Sequence, residues 1–335
     1  MNILLNGVGR IGKSILRLLD SSFQIVAINE INHNIDNIAY SINYDSTYGN
    51  LKDKFQVVGS YIQNSIHKIQ VLNYSSLEDI DYKSLHIDIV IDASGSKIDK
   101  ELLQQLDVKY IFLTHPNKLA DINVILGVNE DKIDKIHHKL ISTSSCNATA
   151  ILPLLKLIDD NYKILYGDIT TIHPLLNHQK VLDSTCISSS NRGVDCSFEF
   201  GRSSTQNIIP SKTTTITACS YVLSDINHNR FSSSSLRVPT DTVGAINITL
   251  FVKQNVTKEN IIELTTKYQS NQKYDIIKNN FEPLVSSDFK EEKFTTIIDH
   301  RFTDIKQNKM IKLVIWYDNE YGYASKVVDI LKHYL

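Results

Sequence analysis

The chain has 335 residues, 42% hydrophobic and 21% charged, with a formal net charge of −2. That length predicts two domains with full cores, and the near-neutral charge excludes the electrostatic footprint of a nucleic-acid or anionic-membrane binder. Four cysteines cannot form a disulfide framework, no ~18-residue apolar run predicts a membrane span, and the start Met1-Asn2-Ile3-Leu4-Leu5-Asn6-Gly7 lacks a basic secretory leader, so a reducing, cytoplasmic setting is expected.

Residues 2–6 read as a short apolar strand. Gly7-Val8-Gly9-Arg10-Ile11-Gly12 follows, then a helical pattern from Lys13 to Leu19 and a second strand, Gln24 to Asn29, ending at Glu30. This is a βαβ dinucleotide fingerprint in its required context. Gly7 permits the tight turn, Gly9 lets the backbone approach a pyrophosphate, and Gly12 lets the helix pack close. The pyrophosphate would sit on the helix N-terminus. Glu30 would accept from ribose hydroxyls and repel a 2′-phosphate, which favours NAD over NADP.

The region 50–75, with Tyr and Val among polar residues, is expected to be an antiparallel excursion. Further strands are expected at Asp88–Asp92, Lys109–Leu113, Val124–Val128 and Leu140–Ser142. Ligands bind at the carboxyl ends of parallel strands, so Ser94, Gly95 and Thr114 are cofactor-pocket candidates.

At the chain's centre stands Ser142-Thr143-Ser144-Ser145-Cys146-Asn147-Ala148-Thr149, followed by the apolar segment Ile151 to Ile158. A cysteine where a loop enters a helix is placed for chemistry. Unpaired N–H groups and the positive end of the helix dipole are expected to lower its thiol pKa.

The pattern then changes. Asp168-Ile169-Thr170-Thr171-Ile172-His173 is a β-branched strand ending in histidine. Residues 183–206 form a long polar loop holding Ser188-Ser189-Ser190, Gly193 and the incidental cysteines Cys186 and Cys196. Thr213-Thr214-Thr215 opens a helix. Ser232–Ser235 reads as a solvated turn. Leu236–Pro239, Ala245–Leu250 and Lys312–Tyr317 read as strands, and Tyr323–Leu335 as a final helix packing on the first domain. A cofactor fingerprint, a helix-start cysteine, a strand-end histidine and a strand arginine suggest thiolate attack on an aldehyde, hydride transfer to a nicotinamide, and cleavage of the resulting thioester.

The chain resembles the glyceraldehyde-3-phosphate dehydrogenases and the related erythrose-4-phosphate dehydrogenases over nearly its whole length. The resemblance rests on Asn6–Gly12, Ser142–Cys146, Thr170–His173, Asn207-Ile208-Ile209-Pro210, Leu236–Thr240, Val285–Phe289 and Trp316–Tyr323. It implies an α/β fold: an N-terminal Rossmann-type doubly wound sheet, residues 1–145, completed by the C-terminal helix 319–335, and an α+β catalytic domain, residues 146–318, with a mixed or antiparallel sheet. It implies Cys146 as nucleophile and His173 as general base. Arg237, with Ser145, Thr213 and Thr214, would bind substrate phosphate. Gly7, Gly9, Arg10, Ile11, Gly12, Glu30, Ser94, Thr114, Asn319 and Tyr323 would hold NAD, with Asn319 on the carboxamide and Tyr323 beside the nicotinamide ring. It further implies a phosphorylated aldehyde substrate, inorganic phosphate for a phosphorylating reaction, and a homotetramer. No metal, nucleic acid or membrane is implied.

Several positions depart from the family pattern. Asn147 and Ala148 stand where it has two threonines; the first helps bind inorganic phosphate. Leu176 stands where a threonine contacts substrate phosphate, Thr214 where a glycine is common, and Glu199-Phe200-Gly201-Arg202 where the family has an arginine-rich loop. Leu176, Thr214, His115-Pro116 and Glu30 resemble the erythrose-4-phosphate branch, in which water cleaves the thioester.

Overall fold

The structure is a computed structural model that describes residues 1–32, 34–96, 99–186 and 198–334. Ser188-Ser189-Ser190, Gly193 and Cys196 of the predicted long loop lie outside the described residues. The chain divides into two compact units: Met1–Val124, Lys132–Thr143 and Ala324–Leu335 form unit 1, and Ile125–Asp131 with Ser144–Tyr323 form unit 2.

Unit 1 contains, in chain order, β1 (Asn2–Asn6), α1 (Arg10–Leu18), β2 (Gln24–Asn29), α2 (Ile35–Asn43), β3 (Gln56–Val58), β4 (Tyr61–Gln63), β5 (Lys68–Leu72), β6 (Ile89–Asp92), α3 (Lys100–Gln105), β7 (Tyr110–Leu113), β8 (Ile122–Asn123) and β9 (Leu140–Ser142). The sheet order is β3-β4-β5-β2-β1-β6-β7-β9-β8. Pairings from β5 through β8 are parallel; β3 and β4 add the predicted antiparallel excursion. Ile3, Leu4, Leu5, Ile89, Val90 and Ile91 are all fully buried, because a central parallel strand is covered on both faces. The chain leaves β1 for β2 on one side, and β6 lies on the other. That order reversal opens a crevice beyond the carboxyl ends of β1 and β6. The expected strand at Val124–Val128 is a turn instead. Asn129 Oδ1 accepts from the Ile125 N–H at 3.0 Å and Gly127 takes φ +79°, so local side-chain bonding displaces the ladder.

Unit 2 contains α4 (Cys146–Tyr162), β10 (Ile164–His173), β11 (Ile209–Ser211), α5 (Thr215–Ser220), β12 (Phe231–Arg237), β13 (Gly244–Val252), α6 (Lys258–Asn271), β14 (Ile277–Asn280), β15 (Thr296–Asp299), β16 (Asp304–Lys306) and β17 (Met310–Tyr317). The last helix, α7 (Tyr321–Tyr334), begins here and continues in unit 1 from Ala324. Within unit 1, Tyr334 sets its ring edge-on to Phe112 and Tyr110, with centroids 5.2 and 5.0 Å away. The unit 2 sheet runs β11-β12-β10-β13-β17-β15-β14, with β16 on β17. It is mixed: β10 pairs parallel with β12 and antiparallel with β13.

The first half of α4 is buried all round, from Ala148 to Leu155. Ile151, Leu152, Leu154, Leu155 and Ile158 are fully buried, each worth about 2 kcal/mol. That burial tolerates Pro153 inside the helix, a position that costs about 3 kcal/mol in an exposed helix. Ser232–Ser235, expected as a solvated turn, lies inside β12. Alternation with β10 buries Ser235, while Ser232 Oγ donates to Asp168 Oδ1 at 2.5 Å on the open face. Cross-strand hydroxyl partners let a serine run serve as a strand.

Candidate active site

In unit 1 the dinucleotide loop takes its shape from backbone crowding. Gly7 has φ +88°, and a Cβ on it would lie 2.7 Å from Ser94 Cα; one on Gly12 would lie 2.1 Å from the Gly7 carbonyl oxygen. No other residue fits either position. Gly9 is the N-cap of α1 and puts no side-chain cap on the first-turn amides. A Cβ there would meet nothing within 4 Å. The helix N-terminus, with Arg10 and Ile11 as its first residues, therefore has room for a pyrophosphate.

Glu30 closes the loop. Its Oε2 accepts from the Val8 N–H at 3.0 Å and its Oε1 from the Asn32 N–H at 3.4 Å. The Arg10 guanidinium pairs with Asp45 at 2.5 Å and sits over the Tyr48 ring, so this side chain anchors the loop. Burial pushes the Asp45 carboxyl up, but Lys13, the Tyr48 amide and Arg10 outweigh it and hold Asp45 well below the carboxylate range. Ser94 Oγ donates to Asp92 Oδ1 at 2.7 Å, and Thr114 Oγ1 donates to the Asp92 carbonyl at 3.0 Å. Asn29 continues the network through Asn6 to Asp92, each bond 2.8 Å. Both hydroxyls thus fix the walls of the crevice.

In unit 2 the thiol is presented by a strained elbow. Ser144 has φ +61°, uncommon for a non-glycine and characteristic of functional turns. Tyr323 donates its hydroxyl to the Ser144 carbonyl at 3.1 Å. Ser145 is the N-cap of α4, its Oγ accepting from the Ala148 N–H at 3.3 Å. Cys146 is the first residue of α4, and its Sγ lies 3.9 Å from His173 Nε2. His173 Nδ1 lies 2.9 Å from the Pro174 carbonyl oxygen. A carbonyl only accepts, so Nδ1 carries the hydrogen and Nε2 turns a bare lone pair toward the sulfur.

Burial, then the nearby Arg237, drive the His173 pKa down to about 3. Burial pushes the Cys146 thiol up to about 11; Arg237 and the Asn147 amide pull the other way, and Glu320 adds to the rise. The expectation that the helix start lowers this pKa is therefore overturned: desolvation of the thiolate exceeds the stabilisation the helix start and guanidinium provide. The resting pair is a thiol beside a neutral imidazole.

Arg237 ends β12 in register with His173, because the two strands run parallel. Among the described residues its Nε and Nη1 are buried without a hydrogen-bond partner. A buried guanidinium with unsatisfied donors fits an incoming anion. Thr213 Oγ1 lies 2.7 Å from Thr215 Oγ1, and Thr214 is exposed at the N-cap of α5 without a side-chain capping bond. The Leu176 amide is bound to Gln179 Oε1 at 2.7 Å. Arg202 pairs at the surface with Asp183 at 3.0 Å. Cys186, expected to be incidental, is disulfide-bonded.

Asn319 is buried. Its Oδ1 accepts from the Val243 N–H at 3.1 Å and from Thr242 Oγ1 at 3.3 Å. This fixes the amide orientation and leaves Nδ2 as its donor, the kind of group a carboxamide oxygen needs. Val243 takes φ +65° to present that N–H, a marked outlier for a β-branched residue. Sequence reasoning missed Val243, Thr215, Tyr317 and the Pro174 carbonyl. Tyr317 stood inside a quoted motif, but only the fold brings its hydroxyl 2.6 Å from Asn147 Oδ1.

Comparison with known proteins identifies the family. Residues 1–100 match the family described as "Glyceraldehyde 3-phosphate dehydrogenase, NAD binding domain", and residues 145–319 its C-terminal domain. Glyceraldehyde-3-phosphate dehydrogenase 2 of Bacillus subtilis (strain 168) is 32% identical over 340 residues, covering 99% of this chain and 96% of the relative. The protein of the same name from Staphylococcus aureus (strain MRSA252) is 32% identical over 335 residues, covering 98% and 94%. The Staphylococcus epidermidis relative is 31% identical over the same length. The chain belongs to the glyceraldehyde-3-phosphate dehydrogenase family.

Proposed function

We propose that this chain is an NAD-dependent dehydrogenase that oxidises glyceraldehyde 3-phosphate, or a closely related phosphorylated aldehyde, through a thioester on Cys146. The observation that carries the reading is the Cys146 Sγ facing the bare Nε2 of His173 at 3.9 Å, beside the unpartnered guanidinium of Arg237. NAD, when bound, supplies the hydride acceptor. Arg237 grips the substrate phosphate, aided by Ser145, Thr213 and Thr214. Sγ attacks the aldehyde carbon as its proton passes to His173 Nε2. His173 returns that proton to the new alkoxide and takes it back as the carbon gives up hydride and the thioester forms. A second nucleophile then breaks the Sγ–C bond and frees Cys146. Gly7, Gly9, Arg10, Ile11, Gly12, Glu30, Ser94 and Thr114 shape the dinucleotide crevice, Asn319 donates to the carboxamide, and Tyr323 supports the elbow from beneath.

A second reading, erythrose 4-phosphate with water as final nucleophile, is favoured by one observation. Asn147 stands where the family has the threonine that helps bind inorganic phosphate, and its Nδ2 donates to Thr215 Oγ1 at 3.2 Å; that position offers no hydroxyl, and its amide donor is engaged within the protein. NADH formation from each aldehyde, with and without phosphate, separates the readings. Phosphate-dependent turnover of glyceraldehyde 3-phosphate supports the first, phosphate-independent turnover of erythrose 4-phosphate supports the second, and no turnover of either sinks both.

A homotetramer and a cytoplasmic location are part of the same proposal. On the open face of β10, Tyr166 and Ile172 are each at least 36% exposed with Asp168 and Thr170 between them, and Tyr166 stacks on Phe251, a mixed surface suited to a second copy. Among the described residues no helix is long and apolar enough to cross a membrane.

A further inference from the structure

The first residue after the nucleophile is where this chain leaves the family pattern, and its side chain touches the reacting atom. Asn147 Oδ1 lies 3.5 Å from Cys146 Sγ, closer than the 3.9 Å between Sγ and His173 Nε2. The amide is not free to turn away. Tyr317 donates its hydroxyl to the same Oδ1 at 2.6 Å, and Asn147 Nδ2 donates to Thr215 Oγ1 at 3.2 Å, which is fixed to Thr213 Oγ1 at 2.7 Å. Each of these partners belongs to a different element: Tyr317 ends β17, Thr215 begins α5, and Asn147 lies in the first turn of α4.

We propose that Asn147 is the resting acceptor of the Cys146 thiol hydrogen, so that the Tyr317–Asn147–Thr215 bridge keeps the thiol protonated and its hydrogen turned away from His173 until an aldehyde arrives. The inference rests on Cys146 being the nucleophile, as argued above. A thiol has one hydrogen and gives it to one acceptor. While Asn147 holds it, the His173 lone pair receives none. When the aldehyde carbon engages sulfur, the hydrogen turns from Oδ1 to Nε2 and leaves as the Sγ–C bond forms and the carbonyl electrons move to oxygen. The charged and titratable groups that bear on the sulfur are His173, Arg237, Tyr317 and Glu320. Arg237 favours the thiolate and Glu320 opposes it, while Tyr317, whose own ionisation burial and Cys146 push up, stays a neutral hydroxyl. Asn147 adds a neutral acceptor to the opposing side.

The test is the pH profile of iodoacetamide alkylation of the full chain without substrate, with the modified residue identified as Cys146 by mass spectrometry. Cys219 is fully buried and serves as an internal control. Asn147→Ala removes the acceptor and is expected to speed alkylation near neutral pH by about threefold to tenfold, the factor one net hydrogen bond is worth. Asn147→Asp keeps the shape and accepts more strongly, so alkylation is expected to slow and its midpoint to move up. Tyr317→Phe unties the amide and is expected to shift the rate in the same direction as Asn147→Ala, by less. An Asn147→Ala rate equal to or below the parent's, or an Asn147→Asp rate above it, overturns the proposal. If Asn147→Ala does not fold, the isosteric Asn147→Asp decides alone by the sign of its shift. NADH formation by the parent is read separately: a parent without turnover overturns the functional reading, while the order of alkylation rates still judges Asn147.

Discussion

Replacing His173 by asparagine isolates the general base. The asparagine amide can still donate to the Pro174 carbonyl, as Nδ1 does now at 2.9 Å, but it places no imidazole lone pair against Cys146 Sγ. Burial holds the thiol at about 11. Without a base to take its proton, the thiolate fraction at pH 8 is therefore on the order of one in a thousand. The expected loss in the rate of enzyme acylation is roughly 10²–10⁴-fold, the usual worth of a positioned base. The variant's rate is also expected to climb about tenfold per pH unit toward the thiol's own pKa, where the parent's stays nearly flat above neutrality. The assay is the first-turnover burst of NADH in a stopped-flow instrument from pH 7 to 10, at saturating NAD and aldehyde. A burst within about tenfold of the parent's at pH 8, or one that does not rise with pH, refutes the assignment of His173 and the raised thiol pKa together.

Arg237→Leu removes a buried guanidinium whose Nε and Nη1 have no protein partner among the described residues. It is expected to cut kcat/KM for the phosphorylated aldehyde by about tenfold to a hundredfold, the range for a charge-assisted bond, and to spare unphosphorylated glyceraldehyde; an equal loss on both substrates contradicts the role. Gly12→Ala drives a Cβ to within 2.1 Å of the Gly7 carbonyl oxygen, so NAD affinity measured by calorimetry is expected to fall more than about tenfold, while unit 2 chemistry, read by Cys146 alkylation, stays intact. Asn319→Ala strands the buried Val243 N–H and is expected to cost about 1–3 kcal/mol of stability even without NAD, checked by urea unfolding. The pH dependence of stability follows from the histidines. Burial lowers the pKa of His67 and His115, and brings His173 to about 3 and His300 to about 4, from an ordinary 6.5. His173 and His300 are neutral in the fold through this range and take a proton near 6.5 when unfolded, so the stability they contribute is full above 6.5 and is lost as pH falls toward 4; the lowered His67 and His115 act in the same direction. The slope is about 1.4 kcal/mol per pH unit for each extra proton bound on unfolding. Urea midpoints that stay level between pH 7 and 5 contradict this.

The parts legible in the sequence were those set by local pattern. The glycine spacing of residues 7–12, the apolar strands around it and the apolar run after Cys146 each reflect a short-range requirement of backbone or burial. The family motifs then supplied roles for Cys146, His173 and Arg237 that no periodicity carries. What stayed hidden depends on residues far apart in the chain. The thiol pKa follows from burial by a whole fold, which outweighs the helix start that the sequence made visible. Ser232–Ser235 reads as a turn until β10 supplies Asp168 and Thr170 as partners. Asn147 reads as an odd substitution until Tyr317, 170 residues away, reaches its Oδ1. Val124–Val128 failed for the opposite reason, since Asn129 and Gly127 supply a local turn stronger than the apolar pattern.

The central claim is that Cys146 carries the acyl group. Mixing the protein with NAD and glyceraldehyde 3-phosphate without inorganic phosphate, quenching in acid within one turnover and mapping peptides by mass spectrometry tests it directly. The account predicts a 3-phosphoglyceroyl thioester on Cys146, formed together with NADH and lost on hydroxylamine treatment. NADH formed with Cys146 unmodified, or with the acyl group on another residue, would contradict it.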